Sequence, residues 1–596
     1  MTSRTDSLRD FTADGRLIVL SAMALVTGTL GALAAWVLLK LINLVTNLAY
    51  FHVLSTVPHH LAQARLGPDS ILIPVIGGLI VGLMARYGSE KIRGHGIPEA
   101  LEAILIGQSR IAPKVALLKP LSSAIAIGSG GPFGAEGPII MTGGALGSLF
   151  AQFFDISPAE RKTLLVAGAA AGMTAIFGTP VAAVLLAVEV LLFEWKPRSF
   201  VPVVVSASVA MAWRPLLVGG WPLFAHNLMP AMPVWGLAVC VGVGVVSGLQ
   251  SAVMSWTLYG VEDLFHRLPI HWMWWPALGG IVVGLGGWLD PAVLGVGYDN
   301  IRALIDGTMP MHAAATLLVG KAVVWIAALS SGTSGGVLAP LLMMGGALGA
   351  IEAHVLPFGG AGFWGLVAMA AVLGGTMRAP LMATVFAVEL TGDLAVMPAV
   401  LAACAASFAT TVLLMRRSIL TERLARRGQH LSYEYAVDPF GVMRVGDIMT
   451  KKVDSLPVTT TIGEAIGFFD TVSGRLRHKS YPVLDGDGRV TGMVSRSDVL
   501  RWMREDFPAG ETLGEHAKDQ TLFLAHADEL VGHLADRMAA ADIGRVPVVE
   551  PGSGRLVGLV ARRDLLRVRA HAARQENGPR KAASRHAAKG HLETSG

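Results

Sequence analysis

From Leu17 to about Tyr50 the chain carries one almost unbroken apolar run. It is longer than the core of a signal peptide and lacks a small-residue cleavage site, so it predicts a first membrane helix, long enough to lie tilted. Further apolar runs follow near 71–87, 111–127, 137–151, 160–194, 200–217, 232–257, 272–289, 313–330, 338–355, 364–375, 380–390 and 398–415. Several are shorter than the ~20 residues that span a bilayer, and glycines and prolines interrupt them. The pattern predicts broken or re-entrant helices, whose backbone ends are tolerated at membrane depth only beside a cavity or within protein.

After about residue 440 the pattern becomes short apolar strands alternating with amphipathic helices. "YPVLDGDGRVTGMVSRSDVL" (481–500) is repeated as "VPVVEPGSGRLVGLVARRDLL" (546–566). The apolar part is duplicated too. "GPFGAEGPIIMTGGALGS" (131–148) lines up with "GTSGGVLAPLLMMGGALGA" (332–350), and "AIFGTPVAAVLLAVEV" (175–190) with "GGTMRAPLMATVFAVEL" (374–390). Two pairs in the same order, about 200 residues apart, imply two related halves with a binding site between them.

The expected architecture is a polytopic α-helical membrane protein with a two-half internal repeat and many tilted or broken helices, followed by an α/β pair. The expected segments are 1–16 (cytoplasmic), 17–427 (membrane), 428–442 (linker), 443–506 and 507–570 (the α/β pair) and 571–596 (a disordered basic tail).

Composition agrees with the pattern. Of 596 residues, 53% are hydrophobic and 15% charged, against about 25% charged in a typical soluble domain. The net charge of +5 is not spread as a nucleic-acid footprint. Basic residues gather at Arg4, Arg9 and Arg16, at Arg416, Arg417, Arg423, Arg426 and Arg427, and in the tail. Such clusters mark cytoplasmic ends, so both termini and the α/β pair are expected in the cytoplasm. Cys240 and Cys404, each within an apolar run, exclude a disulfide framework or a cysteine zinc cage and read as small buried side chains. No metal site is expected.

Against this background one carboxylate stands out. Glu136 lies in "GSGGPFGAEGP" (128–138), inside the apolar body, where an ionised carboxylate costs on the order of 3 kcal/mol or more. The sequence "EGPII" reads as a helix start with Pro138 in its first turn. Free amides at a helix start attract anions, and Glu136 can occupy such a site itself, leaving on protonation or displacement. "GHGIPEA" (94–100) and "GGVLAPLL" (335–342) have the same form, ahead of Pro98 and Pro340. Three glycine-flanked helix starts point to a dehydrated anion surrounded by helix ends. Close packing of small residues is the alternative reading.

GHGIP, GAEGP and GGVLAP, in that order and spacing, resemble the signature motifs of the CLC chloride channel and proton–chloride exchanger family, over about 17–427. The tandem pair resembles CBS domains. The resemblance implies an inverted repeat, a homodimer with one anion pathway per subunit, and an external gating glutamate at Glu136. It implies that chloride is held by Gly94, His95, Gly96, Ile97 and Pro98, by Gly134, Ala135 and Gly137, by Gly336, Val337, Leu338 and Ala339, and near Leu420. Several positions depart from the family. His95 stands for its serine, Ala135 for a basic residue and Leu338 for a phenylalanine. Leu420 or Ile419 stands for its tyrosine, and Val190 for the inner proton-relay glutamate of exchangers. An imidazole at position 95 titrates near neutral pH and adds pH dependence if it meets the anion; the alternative is that its ring points aside. Glu189, beside Val190, recurs as Glu389 and is expected to be structural.

These departures favour channel-like or loosely proton-coupled chloride transport over a tightly coupled H+/Cl− antiporter, with Glu194 or water as other proton carriers. In CBS domains the motif Gly-h-h-[ST]-x-x-Asp binds adenine nucleotides such as ATP, ADP or AMP. Here it supplies Ser495 and Asp498 in the first copy, and Ala561 and Asp564 in the second. The same residues also fit a helix-capping box. No cofactor is otherwise required. No nucleophile–His–Asp set or phosphate-cradling Walker sequence is present, so an intramembrane enzyme is not expected. A CBS-regulated cation transporter would want several carboxylates along one path. A nucleotide sensor with a mere membrane anchor would not need repeated helix starts.

Overall fold

The structure, a computed structural model, describes residues 15–577 except 60, 62, 63, 65, 106, 227–229, 231, 427–439, 441–442, 472–478, 506 and 518–521. The chain divides into two compact units, the apolar body and the C-terminal part. Most of the expected linker 428–442 lies outside the described residues.

Seventeen α-helices are described in the body, and sixteen of them form two matching sets. The first set is α1 (Arg16–Thr46), α2 (Leu72–Tyr87), α3 (Ile97–Leu105), α4 (Pro113–Gly128), α5 (Glu136–Ala151), α6 (Pro158–Phe177), α7 (Pro180–Leu186) and α8 (Pro197–Leu217). The second is α9 (Gly236–His266), α10 (Trp275–Leu289), α11 (Tyr298–Ile305), α12 (Met311–Ser330), α13 (Leu338–Glu352), α14 (Ala361–Met377), α15 (Pro380–Thr391) and α16 (Met397–Leu414); α17 (Ile419–Arg426) closes the body. The order long, medium, short recurs, and α1 and α9 each have 31 residues. The apolar run 160–194 is divided between two helices. Gly178 caps α6 in the left-handed conformation (φ 71°), and Pro180 then opens α7.

Six of the described helical stretches are long and apolar enough to cross a membrane: Arg16–Phe51, Pro68–Tyr87, Pro197–Leu217, Gly236–His266, Met311–Ser330 and Met397–Arg426. Their outward faces expose Leu25, Leu33, Val241, Val253 and Val319, a surface suited to hydrocarbon rather than water.

Two sets of contacts fix how the halves are related. Glu189, just beyond α7, accepts from Leu381 N (3.3 Å) and Met382 N (2.8 Å) in the first turn of α15. Glu389, near the end of α15, accepts from Val181 N (3.0 Å) and Ala182 N (2.8 Å) in the first turn of α7. Each helix end caps the other's start, so these equivalent helices run antiparallel. α5 and α13, also equivalent, meet start to start through Glu136 and Leu338. The halves are therefore inverted. A second matched pair is buried: Lys119 of α4 donates to Ile92 O (2.8 Å) and Gly94 O (2.7 Å). Lys321 of α12 donates to Val293 O (2.9 Å) and Gly295 O (2.8 Å). Each ammonium satisfies two loop carbonyls that would otherwise be stranded away from water.

The structural role expected for Glu189 is thus visible as reciprocal capping. Glu189→Ala and Glu389→Ala are each expected to lower stability by roughly 1 kcal/mol, as loss of a helix cap does. Thermal unfolding of the detergent-solubilised protein measures this, and similar losses in the two variants are the expected signature of the symmetry.

The C-terminal unit repeats a hairpin flanked by helices. Its elements begin with α18 (Val445–Ile448), β1 (Leu456–Pro457), α19 (Ile462–Thr471), β2 (Ser480–Leu484), β3 (Val490–Ser495) and α20 (Arg496–Arg504). They continue with α21 (Leu513–Ala517), α22 (Val531–Ala540), β4 (Arg545–Val549), β5 (Leu556–Ala561) and α23 (Arg562–Asn577). β1 pairs parallel with β2, which pairs antiparallel with β3; β4 and β5 form the second antiparallel pair. Both hairpins shift register at the same place, after Val483 and after Val548. Their turns pair with each other through Val490 N to Gly554 O (3.2 Å) and Leu556 N to Gly488 O (3.1 Å). α23 continues seven residues beyond 570, into the expected tail. Its run "RAHAARQEN" is rich in alanine, arginine and other good helix formers; residues after 577 lie outside the described part.

Candidate functional site

The three glycine-rich loops, distant in sequence, are stitched together by their own backbone. Gly134 N donates to Gly336 O (3.3 Å), and Gly336 N to Gly134 O (2.9 Å). Gly94 N donates to Thr333 O (3.2 Å), and Gly335 N to Gly94 O (3.3 Å). Glycine is required twice over. Gly94 and Gly96 sit at φ 83° and 91°, where other residues are strained. A Cβ on Gly137 would overlap the His95 carbonyl, and one on Gly336 would overlap the Glu136 carboxylate.

Each loop ends in a helix start, as the spacing predicted: α3 at Ile97, α5 at Glu136 and α13 at Leu338. Pro98 is the second residue of its helix, and Pro138 and Pro340 are the third of theirs, positions where a missing N–H is harmless. Ala135 and Val337 are the residues that precede α5 and α13.

Glu136 is fully buried. Its Oε1 accepts from the Leu338 N–H across the gap between halves. The Ala339 and Glu136 amides also act electrostatically on the carboxylate, and its Oε2 has no hydrogen-bond partner. A carboxylate therefore occupies the free amides and positive end of α13, which is the place such a helix offers to an anion. Leu338 contributes its N–H there, so the loss of an aromatic side chain leaves this contact intact.

On the other side of the loops lies a buried polar cluster that the motifs alone did not reveal. Glu99 accepts from Gly96 N (3.0 Å) and pairs with Arg423 (3.7 Å). Lys119 holds the Gly94 carbonyl. Ser123 and Ser122 reach the Ser334 hydroxyl at 2.9 and 3.2 Å. Lys119 had a signal in the sequence, since Lys321 repeats it within an apolar run. His95 is 3% exposed, with its Nδ1 unpaired, and feels the charges of Glu99, Arg423 and Lys119. Leu420 is wholly buried on α17, which packs against α3, the helix opened by GHGIP. Val190 is also wholly buried. Glu194 is held by Ser199 (2.7 Å) and Lys196 (3.0 Å).

In the C-terminal unit the motif residues form the expected capping box. Ser495 Oγ accepts from Asp498 N (3.3 Å), and Ser495 N donates to Asp498 Oδ2 (2.9 Å). Both residues also line a cleft of about 720 Å³ with Lys479, Arg496, Asp542 and Arg545. That volume lies within the range of ligand pockets. Its basic side chains and the hydroxyl suit a phosphate and a ribose. The equivalent space at Asp564 is about 20 Å³, enough for a water and not for a nucleotide. There Asp564 accepts from Ala561 N at 2.9 Å.

Comparison with known proteins agrees with the geometry. Residues 77–412, more than half of the chain, match the family model "Voltage gated chloride channel", and residues 445–505 and 520–571 match the CBS domain. A curated relative from Citrobacter koseri, the voltage-gated ClC-type chloride channel ClcB, is 31% identical over 381 residues, covering 61% of this chain and 89% of the relative. Among solved structures, a slow cyanobacterial Cl−/H+ antiporter superposes with a TM-score of 0.59 at 22% identity, covering 70% of this chain and 99% of that one. A eukaryotic CLC transporter does so with a TM-score of 0.58 at 18% identity, covering 92% and 98%. The chain belongs to the voltage-gated chloride channel (CLC) family and carries two CBS domains after its membrane body.

Proposed function

We propose that the protein conducts chloride across the membrane along a path on which Glu136 is the gate, with loose coupling to protons. The observation that carries this reading is the seat of the buried Glu136 carboxylate at the start of α13, on the Leu338 amide and within reach of the Ala339 amide. A carboxylate and a chloride ion ask for the same donors, so one excludes the other, and protonation removes the competitor. Val190, aliphatic and buried where exchangers carry an inner glutamate, argues against a dedicated inner relay. Glu194, pinned by Lys196 and Ser199, is poorly placed to shuttle. Basic residues near both ends of the body support cytoplasmic termini and CBS domains, and the family supports a homodimer with one path per subunit.

The deciding experiment is the reversal potential of the reconstituted protein under opposed chloride and proton gradients. The expected value lies close to the chloride equilibrium potential, with a small shift toward the proton gradient. A shift of the size demanded by fixed stoichiometry would replace this reading by tight antiport. Flux that follows a cation gradient and ignores chloride would end it.

Adenine nucleotide regulation is proposed at the first CBS copy, where cleft, hydroxyl and carboxylate coincide. Calorimetric titration of the full protein with ATP, ADP and AMP should show binding that Asp498→Ala weakens at least about tenfold. Asp564→Ala should leave it within about twofold, because no room for a nucleotide adjoins that residue. Equal losses in both variants would reject the assignment.

A further inference from the structure

The inverted repeat gives the first motif loop a mate. "GHGI" (94–97) corresponds to "GVGY" (295–298), and the two are built alike. Gly295 and Gly297 have φ of 60° and 75°, as Gly94 and Gly96 have 83° and 91°. A buried lysine holds each loop by two carbonyls, and each loop opens a helix, α3 or α11. Where the first loop places Ile97, its mate places Tyr298.

Three observations single out Tyr298. Its hydroxyl is buried without a hydrogen-bond partner. It lies within electrostatic reach of the Glu136 carboxylate and the Arg214 guanidinium, and Glu136 Oε2 is itself unpartnered. The residue also lines a cavity of about 480 Å³ with Lys40, Asn43, His59 and Asn300. This cavity touches the last third of α1, whereas α1 begins, some 30–45 Å away at 1.5 Å per residue, on the opposite face. The ring is fixed by edge-on contacts with Phe177 and Phe224, both at 6.4 Å. A buried phenol without a partner is an expensive arrangement unless something else accepts its proton.

We infer that the Tyr298 hydroxyl is an anion ligand at the cavity end of the path, donating to chloride as it passes between the cavity and the α13 amides. The inference rests on the proposed chloride path through Glu136. It gives the inverted repeat a chemical consequence: of the two mated loops, one packs the His95 carbonyl against Gly137 beside Glu136, and the other brings a phenol.

The test is chloride-driven flux through the full-length protein in liposomes, for Tyr298→Phe alone and combined with Glu136→Ala. Phenylalanine keeps the ring and its packing and removes only the donor, and an unchanged thermal transition checks the fold. A lost bond to a charged partner predicts that half-maximal flux needs roughly tenfold more chloride on the cavity face, in both backgrounds, with little change from the other face. Calorimetric titration of chloride into the detergent-solubilised double variant gives the same comparison without flux. Unchanged chloride dependence in both backgrounds overturns the inference. So does an effect that vanishes with Glu136→Ala, because the hydroxyl would then serve the carboxylate and not the ion. Failure of the underlying path reads differently: chloride would drive no flux even with Tyr298 in place.

Discussion

Glu136→Ala is expected to leave a protein that still carries chloride but no longer responds to pH through this site. In the native protein the carboxylate sits at the start of α13, on the Leu338 amide that the proposed path would offer to the anion. Where that carboxylate titrates, a single-proton equilibrium changes the open fraction by up to about tenfold per pH unit. Alanine removes the competitor, so this dependence should collapse, together with any movement of protons against a chloride gradient. Glu136→Gln mimics the protonated side chain and should behave in the same way. The measurement is chloride flux from liposomes at a series of external pH values. Native-like pH response in both variants would exclude Glu136 as the gate.

Gly137→Ala is expected to have the second large effect, through backbone rather than charge. The added methyl group would overlap the His95 carbonyl, which belongs to a loop anchored by Lys119 and by Thr333. Neither side can yield as a flexible side chain does. The GHGIP and GAEGP loops must move apart, taking the amides of the site with them. Overpacking of this kind costs about 1–3 kcal/mol or more. With so much of the body held by helix packing, the chain should still fold, while flux drops by at least about tenfold. Gly144→Ala is the control on the same helix. Its methyl group would meet a Leu165 side-chain carbon at 3.3 Å, a neighbour that can rotate away, so flux should stay within about twofold. Comparable losses in both variants would mean that any added volume in α5 is disruptive.

Much of this site was legible because its chemistry is local. Glycines at strained φ, prolines in first turns and a carboxylate at a helix start are adjacent in sequence, so three short motifs predicted three helix starts and the structure has all three. The duplicated Pro180/Glu189 and Pro380/Glu389 segments likewise predicted a structural glutamate. Their reciprocal capping is a long-range fact that only the packing of α7 against α15 displays. What pattern could not supply was the partner of each local feature. Nothing near Glu136 in sequence points to Leu338 rather than Ile97 as the helix start that receives it. The Glu99–Arg423 pair joins residues more than 300 positions apart. The apolar run 160–194 hid a break because Gly178, Thr179 and Pro180 are too few to lower its average hydropathy. Polar side chains kept α11 and α17 from registering as apolar runs at all. Tyr298 carries no such local signal: the GVGY loop matches GHGI only in its glycines, and inversion, invisible in sequence, is what brings it within electrostatic reach of Glu136.

The most direct test of the central claim is the position of a halide in the protein itself. Anomalous scattering from bromide-soaked crystals of the native chain and of Glu136→Ala should show bromide on the Leu338 and Ala339 amides in the variant. In the native chain at neutral pH the carboxylate should hold those amides and exclude bromide. Bromide sharing them with the carboxylate, or absent from them in the variant, would contradict a glutamate that stands in the anion's place.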